Sequence, residues 1–81
     1  DAYYNLGLAH YYLNNFTATA AACQKALDLD NTFANARYML ALAHYRANQL
    51  DQAEAEAQQL ATQQDARAAV LLSHIETARQ R

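Results

Sequence analysis

A chain of 81 residues with a formal net charge of −2 can form one small unit with a modest core, which leaves no room for a second domain. Alanine, leucine and glutamine predominate, proline is absent and Gly7 is the only glycine, so the composition excludes a β-sandwich or barrel and predicts an all-α fold. The six basic residues are scattered, and no apolar run approaches the roughly 20 residues that cross a bilayer, so neither nucleic-acid binding nor membrane insertion is expected.

The first predicted hairpin begins at about residue 2. Its first helix, residues 2–13, has apolar positions spaced i, i+3, i+4, i+7, and its second helix spans residues 16–29. Asn14 tolerates the left-handed conformation that ends helices, and Asn15 can cap the second helix. The predicted core positions are Tyr3, Leu6, Gly7, His10, Ala20, Cys23, Ala26 and Leu27.

The second predicted hairpin follows the same plan. Residues 30–32 separate the hairpins and supply caps, and helices over 35–47 and 50–62 flank a turn at Asn48. A fifth helix, capped by Asp65, runs to about Gln80. The second helix of this hairpin offers mostly alanine to the core, so its packing is predicted to be close but weakly stabilised, because alanine buries little area.

The two hairpins are copies of one another at a spacing of 34 residues. Eight identities fall within a stretch of thirteen residues, all in one register, which chance matches in an alanine-rich chain do not explain. The identical pairs are Ala2 and Ala36, Tyr4 and Tyr38, Leu6 and Leu40, Leu8 and Leu42, Ala9 and Ala43, His10 and His44, Tyr11 and Tyr45, and Asn14 and Asn48.

This helix–turn–helix unit, with an aromatic residue, then Leu6 and Gly7, then further aromatic and small residues, resembles the tetratricopeptide repeat. The resemblance implies a single domain that forms an α-α superhelix, with repeat one over 1–33, repeat two over 34–67 and a C-terminal helix over 66–80. The family's tryptophan position holds Tyr3 in the first unit, where a core role is predicted, and Arg37 in the second. The chain begins at Asp1, without methionine, on residues that already form a helix, which predicts a piece of a longer protein.

Two registers remain open for the fifth helix. The strict register of a third unit places Leu71, Ile75 and Ala78 at core positions and is favoured. A shift of one residue repairs the poor fit of His74 to a leucine position but puts Glu76 on a small-residue position.

The family resemblance also implies a binding groove, because the first helix of each unit lines the concave side of such arrays. Tyrosine suits such a surface, since its ring is apolar and its hydroxyl can stay hydrated, although a tyrosine stripe at helical spacing can also be core. The family's carboxylate clamp uses lysine and asparagine where this chain has Tyr4, Leu8 and Met39, so an apolar or aromatic segment is expected rather than an acidic tail. The groove positions are Tyr4, Leu8, Tyr11, Tyr12, Tyr38, Leu42, Tyr45 and Arg46, and in the strict register the fifth helix adds Leu72, Glu76 and Arg79.

No pattern in the sequence predicts a catalytic, cofactor or metal site, and the chain is predicted not to be an enzyme. His10 and His44 lie one repeat apart, while zinc usually needs four ligands, so both are expected to pack partly buried. Cys23 is expected to be a small buried hydrophobe, and with no second cysteine it forms no internal disulfide and indicates no compartment. Glu54 and Glu56 do not share a helix face and are interpreted as a solvated edge.

Two functions remain open from the sequence. The first is a protein-interaction module whose aromatic groove holds a partner peptide or helix. The alternative is a structural segment that packs on further repeats of its parent chain or self-associates through exposed repeat ends, because about three repeats are usually needed for stability.

Overall fold

The computed structural model describes residues 1–81 as five α-helices and no β-strand, which confirms the all-α prediction. Each helix packs on the next one along the chain, as in a helical repeat superhelix. In chain order the helices are α1 (Ala2–Tyr12), α2 (Phe16–Leu29), α3 (Ala34–Arg46), α4 (Leu50–Thr62) and α5 (Arg67–Arg79). None of them is long and apolar enough to cross a lipid bilayer.

Three of the four turns contain a residue in the left-handed conformation. Asn14 and Asn48, with φ angles of 61° and 62°, confirm the predicted helix ends, and Gln64 adopts the same conformation at 60°. In each case the next backbone N–H donates to a carbonyl five residues earlier, at 2.8 Å, 2.8 Å and 3.2 Å respectively. The α2–α3 turn has no such residue, so the α4–α5 turn is built like a turn within a hairpin rather than between hairpins.

The predicted side-chain caps of α2 and α3 are wrong, whereas the carboxylate predicted to cap α5 does bind the start of that helix. Asn15 lies at the start of α2, but its side chain makes no capping hydrogen bond. The carboxylate of Asp30 accepts from the backbone N–H of Thr32 at 3.0 Å, within the loop, instead of from α3. The carboxylate of Asp65 accepts from the backbone N–H of Arg67, the first residue of α5, at 3.0 Å, and Ala66 between them already has helical φ and ψ angles. Asp30 therefore stabilises the loop, as in an Asx turn, and Asp65 stabilises the start of α5.

The first core cluster lies between α2 and α3. Three of its members, Cys23, Ala26 and Leu27, are buried as predicted, whereas Ala20 is only half-buried. From α3 the cluster receives Ala36, Met39 and Leu40.

Helix α1 approaches α2 closely at Gly7, which is the only buried residue of α1. A Cβ atom at this position would lie 2.8 Å from Sγ of Cys23, so glycine is required for the observed separation of the helices. The hydroxyl of Thr19 in α2 is also buried here and lies 3.2 Å from the carbonyl oxygen of Gly7, which it can donate to. This contact joins the two helices at Gly7.

The rest of the predicted core face of α1 is more exposed than the sequence indicates. Tyr3 is 40% exposed, so the prediction that it belongs to the core is wrong, and Leu6 is 50% exposed. The ring of Tyr3 instead lies under the ammonium group of Lys25 in α2, at 5.8 Å from its centroid. No helix covers the side of α1 that carries Leu6, whereas α3 is covered on both sides.

The second core cluster joins α3, α4 and α5. Leu71 and Ile75 are buried as predicted, and Ala78 is half-buried. The side chain of Leu60 is fully buried, which compensates in part for the alanines around it. The cluster consists of Ala41, Ala53, Ala57, Leu71 and Ile75.

Helix α5 does not follow the strict register that the sequence favours. That register equates Ile75 with Ala41, which faces the helix that follows it, but Ile75 packs against Ala57 of α4, the helix that precedes it. The alternative shift of one residue, in which Ile75 corresponds to Leu40, describes the packing. Glu76 then occupies the small-residue position without strain, because no helix covers it and it is exposed.

Arg37, which replaces the family's tryptophan in the second unit, forms an ion pair. Nη1 of Arg37 lies 3.3 Å from Oε1 of Glu56 in α4, and Nη2 donates to the carbonyl oxygen of Asn31 at 2.8 Å. The interpretation of Glu54 and Glu56 as a solvated edge is therefore wrong: both are half-buried and paired with arginine.

The two repeat-related histidines differ in one hydrogen bond. Nδ1 of His44 lies 2.8 Å from Oε1 of Gln49, and because that oxygen can only accept, the histidine donates. The corresponding Nδ1 of His10 is buried without a partner among the protein atoms. The residue of the first repeat that corresponds to Gln49 is Asn15, and its side chain is one methylene shorter than that of glutamine.

Replacing Asn15 with glutamine is expected to raise the free energy of unfolding by about 0.5–1.5 kcal/mol, the net contribution of one hydrogen bond. The backbone favours this, since φ and ψ are −91° and 72° at Asn15 and −94° and 70° at Gln49. Urea unfolding followed by circular dichroism measures the change. The matched control is the same substitution combined with His10→Phe, in which the gain should disappear; an equal gain in both backgrounds would contradict the explanation.

Candidate functional site

The first helices of the repeats lie closer together than the second helices. Helix α1 contacts α3, and α3 contacts α5, whereas α2 and α4 have no Cα pair within 8 Å of one another. The array therefore curves with α1, α3 and α5 on its inner side, and we call the surface they form the inner face. The predicted groove positions are carried by α1 and α3, the first two of these helices.

On α1, the groove positions Tyr4, Leu8 and Tyr11 are half-buried and pack against the first core cluster. The ring of Tyr4 lies 5.1 Å from that of Phe33, between the centroids, and the ring of Tyr11 meets Phe16 edge-on at 5.6 Å. Such contacts fix the orientation of a tyrosine ring while part of it remains accessible. These residues are therefore partly core and partly surface.

Arg46 connects the C-terminal ends of α1 and α3. Its Nη1 donates to the hydroxyl oxygen of Tyr11 at 3.3 Å, and its guanidinium carbon lies 5.1 Å from the ring centroid of Phe16. A cation over an aromatic face is attracted by the ring quadrupole. Tyr12, by contrast, is 79% exposed, and its ring lies edge-on to that of Tyr11, with 6.0 Å between the centroids.

On α3, the groove positions Tyr38, Leu42 and Tyr45 are half-buried against the second core cluster. The guanidinium carbon of Arg67 lies 4.5 Å from the ring centroid of Tyr38, and the rings of Tyr45 and His74 are 6.4 Å apart. Between α3 and α5 there is a cavity of about 270 Å³. It is lined by Tyr38, Leu42, Arg67, Val70, Leu71 and His74.

The fifth helix contributes different residues from those predicted. Arg79 is held against α4 by Asp51 at 2.6 Å and Glu54 at 3.0 Å, so its expected place in the groove is wrong. Arg67 and His74 instead face the tyrosines of α3. Arg67 lies against Tyr38 as Phe33 lies against Tyr4 one repeat earlier, whereas the place of Arg79 agrees with the shifted register of α5.

The position of Arg67 is fixed by its neighbours. Its side chain donates to the carboxylate of Asp65, with Nη2 and Oδ2 2.7 Å apart, and to the side-chain oxygen of Asn35 in α3 at 2.9 Å. Hydrogen bonds from the side chain and backbone of Arg67 lower the pKa of Asp65 to about 2. The carboxylate therefore remains ionised at neutral pH and holds the guanidinium over Tyr38.

Cys23 is buried in the first core cluster, as predicted. Burial raises the pKa of its thiol to about 11, so the neutral thiol predominates at physiological pH. Because the thiolate is the nucleophile, this environment disfavours covalent chemistry. Among histidine, cysteine, aspartate and glutamate side chains, no three come together in a way that could hold a metal ion.

The stacked hairpins and their curved inner face define a helical repeat protein. The resemblance to a known repeat family is confirmed: residues 1–33 match the family model described as the tetratricopeptide repeat, and the five helices are consistent with such repeats. No curated protein and no solved structure matches the chain. Tetratricopeptide repeats generally mediate protein–protein interaction and are typically not enzymes.

Proposed function

We propose that this chain is a protein-interaction module whose inner face holds an apolar or aromatic segment of a partner protein. The observation that carries the proposal is the pair of repeat-related tyrosines on each hairpin. Tyr4 and Tyr11 on α1, and Tyr38 and Tyr45 on α3, are anchored in the core clusters along one side and lie half-exposed on the inner face. Rings that are already ordered lose little further conformational entropy on binding.

The charges near these rings favour a partner that combines an apolar stretch with one carboxylate. Arg67 is paired with Asp65, but Arg46 forms no ion pair and only donates to the hydroxyl of Tyr11. A partner carboxylate beside the Tyr11 ring would pair with Arg46, in a charge-assisted hydrogen bond. This extends the expectation from the sequence, in which an apolar segment was preferred to an acidic tail.

The proposal is tested by selecting binders from a displayed library of random twelve-residue peptides and measuring the affinity of variants by calorimetry. Alanine at any one of the four tyrosines is expected to weaken binding by about 1–2 kcal/mol, and by more at a hot spot. Each position is also changed to leucine, which retains apolar packing on the core but removes the ring, so that lost binding and lost folding can be separated.

The matched control is Tyr3→Ala. Tyr3 is adjacent to Tyr4 but lies beside Lys25 of α2, away from the inner face, so its removal should leave the affinity unchanged. An affinity that survives replacement of all four inner-face tyrosines, in a chain that circular dichroism shows to be folded, would rule the proposal out.

A further inference from the structure

The cavity between α3 and α5 has no counterpart between α1 and α3. Its volume is about 270 Å³, and the one other cavity of the protein lies at the α1–α2 turn. Beside α1, the ring of Phe33 lies 5.1 Å from that of Tyr4, between the centroids. The residues one repeat later are Arg67 and Tyr38, so a guanidinium takes the place of the phenyl ring. The cavity is therefore particular to the α3–α5 part of the inner face.

The size and lining of this cavity suit one large apolar side chain. Leu42, Val70 and Leu71 supply aliphatic walls, and Tyr38 adds an aromatic one. An apolar cavity of roughly 150 Å³ is large enough for benzene, so this cavity can admit a phenyl ring together with its methylene group. Val70 is 61% exposed and His74 is also exposed, so the cavity opens to solvent beside these two residues.

Arg67 contributes a positive charge that is already neutralised. Its Nε and Nη2 atoms donate to the carboxylate of Asp65, and Nη2 also donates to the side-chain oxygen of Asn35. The pKa of Asp65 is about 2, so its carboxylate is ionised throughout the physiological range. A second carboxylate brought to Arg67 would be repelled by Asp65. Arg67 therefore shapes the cavity without making it a strong site for an anion.

His74 is the side chain at this cavity that can carry a positive charge without a partner. Its ring lies 6.4 Å from that of Tyr45, between the centroids, and no carboxylate of the protein forms an ion pair with it. None of the residues that line the cavity is acidic. Histidine gains a positive charge as the pH falls from about 8 to about 5, so the mouth of the cavity becomes more positive in that range.

The ionisable groups around His74 do not compensate that charge. Glu76 of the same helix is two residues away and therefore does not share the side of the helix that carries His74. Helix α3 presents Tyr38 and Tyr45, which are uncharged at neutral pH. The acidic residues of α4 are paired elsewhere, Asp51 and Glu54 with Arg79, and Glu56 with Arg37.

We propose that this cavity binds one phenylalanine or leucine side chain of the partner segment, and that His74 pairs with an acidic residue next to it in the partner sequence. The inference rests on the proposed interaction function and specifies the partner more closely. This acidic residue is additional to the one expected beside Arg46, which contacts α1 rather than α5. Binding should tighten as the pH falls from about 7.5 to about 5.5, because His74 becomes charged while carboxylates, which titrate near about pH 4, stay ionised.

The test uses two short probes, acetyl-Phe-Glu-amide and acetyl-Phe-Gln-amide, which have nearly the same shape but differ in charge. Each is titrated into isotope-labelled protein, and the NMR shifts of the backbone amides report both the site and the affinity. Both probes should shift amides of α3 and α5 around the cavity. The glutamate probe should bind about fivefold more tightly at the lower pH, the upper end for an exposed ion pair, and the glutamine probe should show no such change. Equal pH responses of the two probes would overturn the proposal.

Variants of α5 identify the group that is responsible. His74→Gln keeps a polar side chain that cannot become charged, so it should remove the pH response of the glutamate probe but leave binding of the glutamine probe unchanged. Val70→Asp places a carboxylate one helical turn before His74, where it competes for the imidazolium, and should weaken binding of the glutamate probe more than Val70→Asn does. The matched control is His10→Gln, which removes a histidine of α1 and should retain the pH response.

These measurements also distinguish failure of the cavity from failure of the proposed function. If library peptides require the four inner-face tyrosines, but the pH response of the glutamate probe survives His74→Gln, the assignment of the cavity is wrong and the interaction module stands. If neither probe and no library peptide binds the folded chain, both proposals are wrong.

Discussion

Replacing Leu40 with alanine is expected to lower the free energy of unfolding by about 2–5 kcal/mol, while Leu6→Ala should lower it by under about 1 kcal/mol. The two leucines are identical in type and occupy equivalent positions of the repeat. They differ in environment, because Leu40 is 2% exposed in the first core cluster and Leu6 is 50% exposed. A cavity forms only where the removed side chain was enclosed.

Urea unfolding of both variants measures the difference under the same conditions. Helix propensity favours alanine slightly at both positions and therefore cancels in the comparison. Equal losses would mean that the side of α1 that carries Leu6 is buried in solution, either by self-association or by a different packing of the hairpins. Sedimentation at several concentrations distinguishes those two causes.

Gly7→Ala is expected to be destabilising in this chain and stabilising once Cys23 is also alanine. An added Cβ would lie 2.8 Å from Sγ of Cys23, and forcing such a contact in a packed core costs about 1–3 kcal/mol. Alanine is better than glycine in a helix by roughly 1 kcal/mol. With Sγ removed, the nearest atoms would be the Thr19 carbonyl oxygen at 3.5 Å and the Ala22 Cβ at 3.6 Å, which are ordinary contacts.

The second hairpin already contains the double replacement. Ala41 stands where the first hairpin has Gly7, and Ala57 stands where it has Cys23, and both alanines are fully buried. Measuring the four chains of the double-mutant cycle gives the coupling between the two positions, expected to be about 1–3 kcal/mol. Additive effects would show that α1 and α2 can move apart at this point and that their packing does not require glycine at position 7.

Much of the helix plan was predictable from the sequence, because it depends on local properties. The left-handed tolerance of asparagine placed the turns at Asn14 and Asn48, and the apolar spacing of α2 identified Cys23, Ala26 and Leu27 as core. The internal repeat of 34 residues also predicts that the first four helices form two equivalent hairpins. The inner-face tyrosines were named from the same repeat, and their binding role remains a prediction.

The register of α5 depended on the tertiary structure. The sequence favoured a strict third unit, but the turn at Gln64 has the conformation found within hairpins, and Ile75 packs with α4 residues as Leu40 packs with α2 residues. In this packing His74 lies against Tyr45 of the inner face and Arg79 against the acidic side chains of α4. Glutamine is a less usual left-handed residue than asparagine, so this turn is difficult to predict from the residue types alone.

The sequence by itself determined that this protein consists of five helices in a repeating array and which side of each helix is apolar. Only the tertiary structure decided which apolar sides are covered. Leu6 and Leu40 have the same local sequence pattern but opposite exposure, because burial depends on whether another helix lies against the residue. Periodicity describes one helix at a time and contains no information about its neighbours, and those neighbours separate the core from the surfaces available for binding.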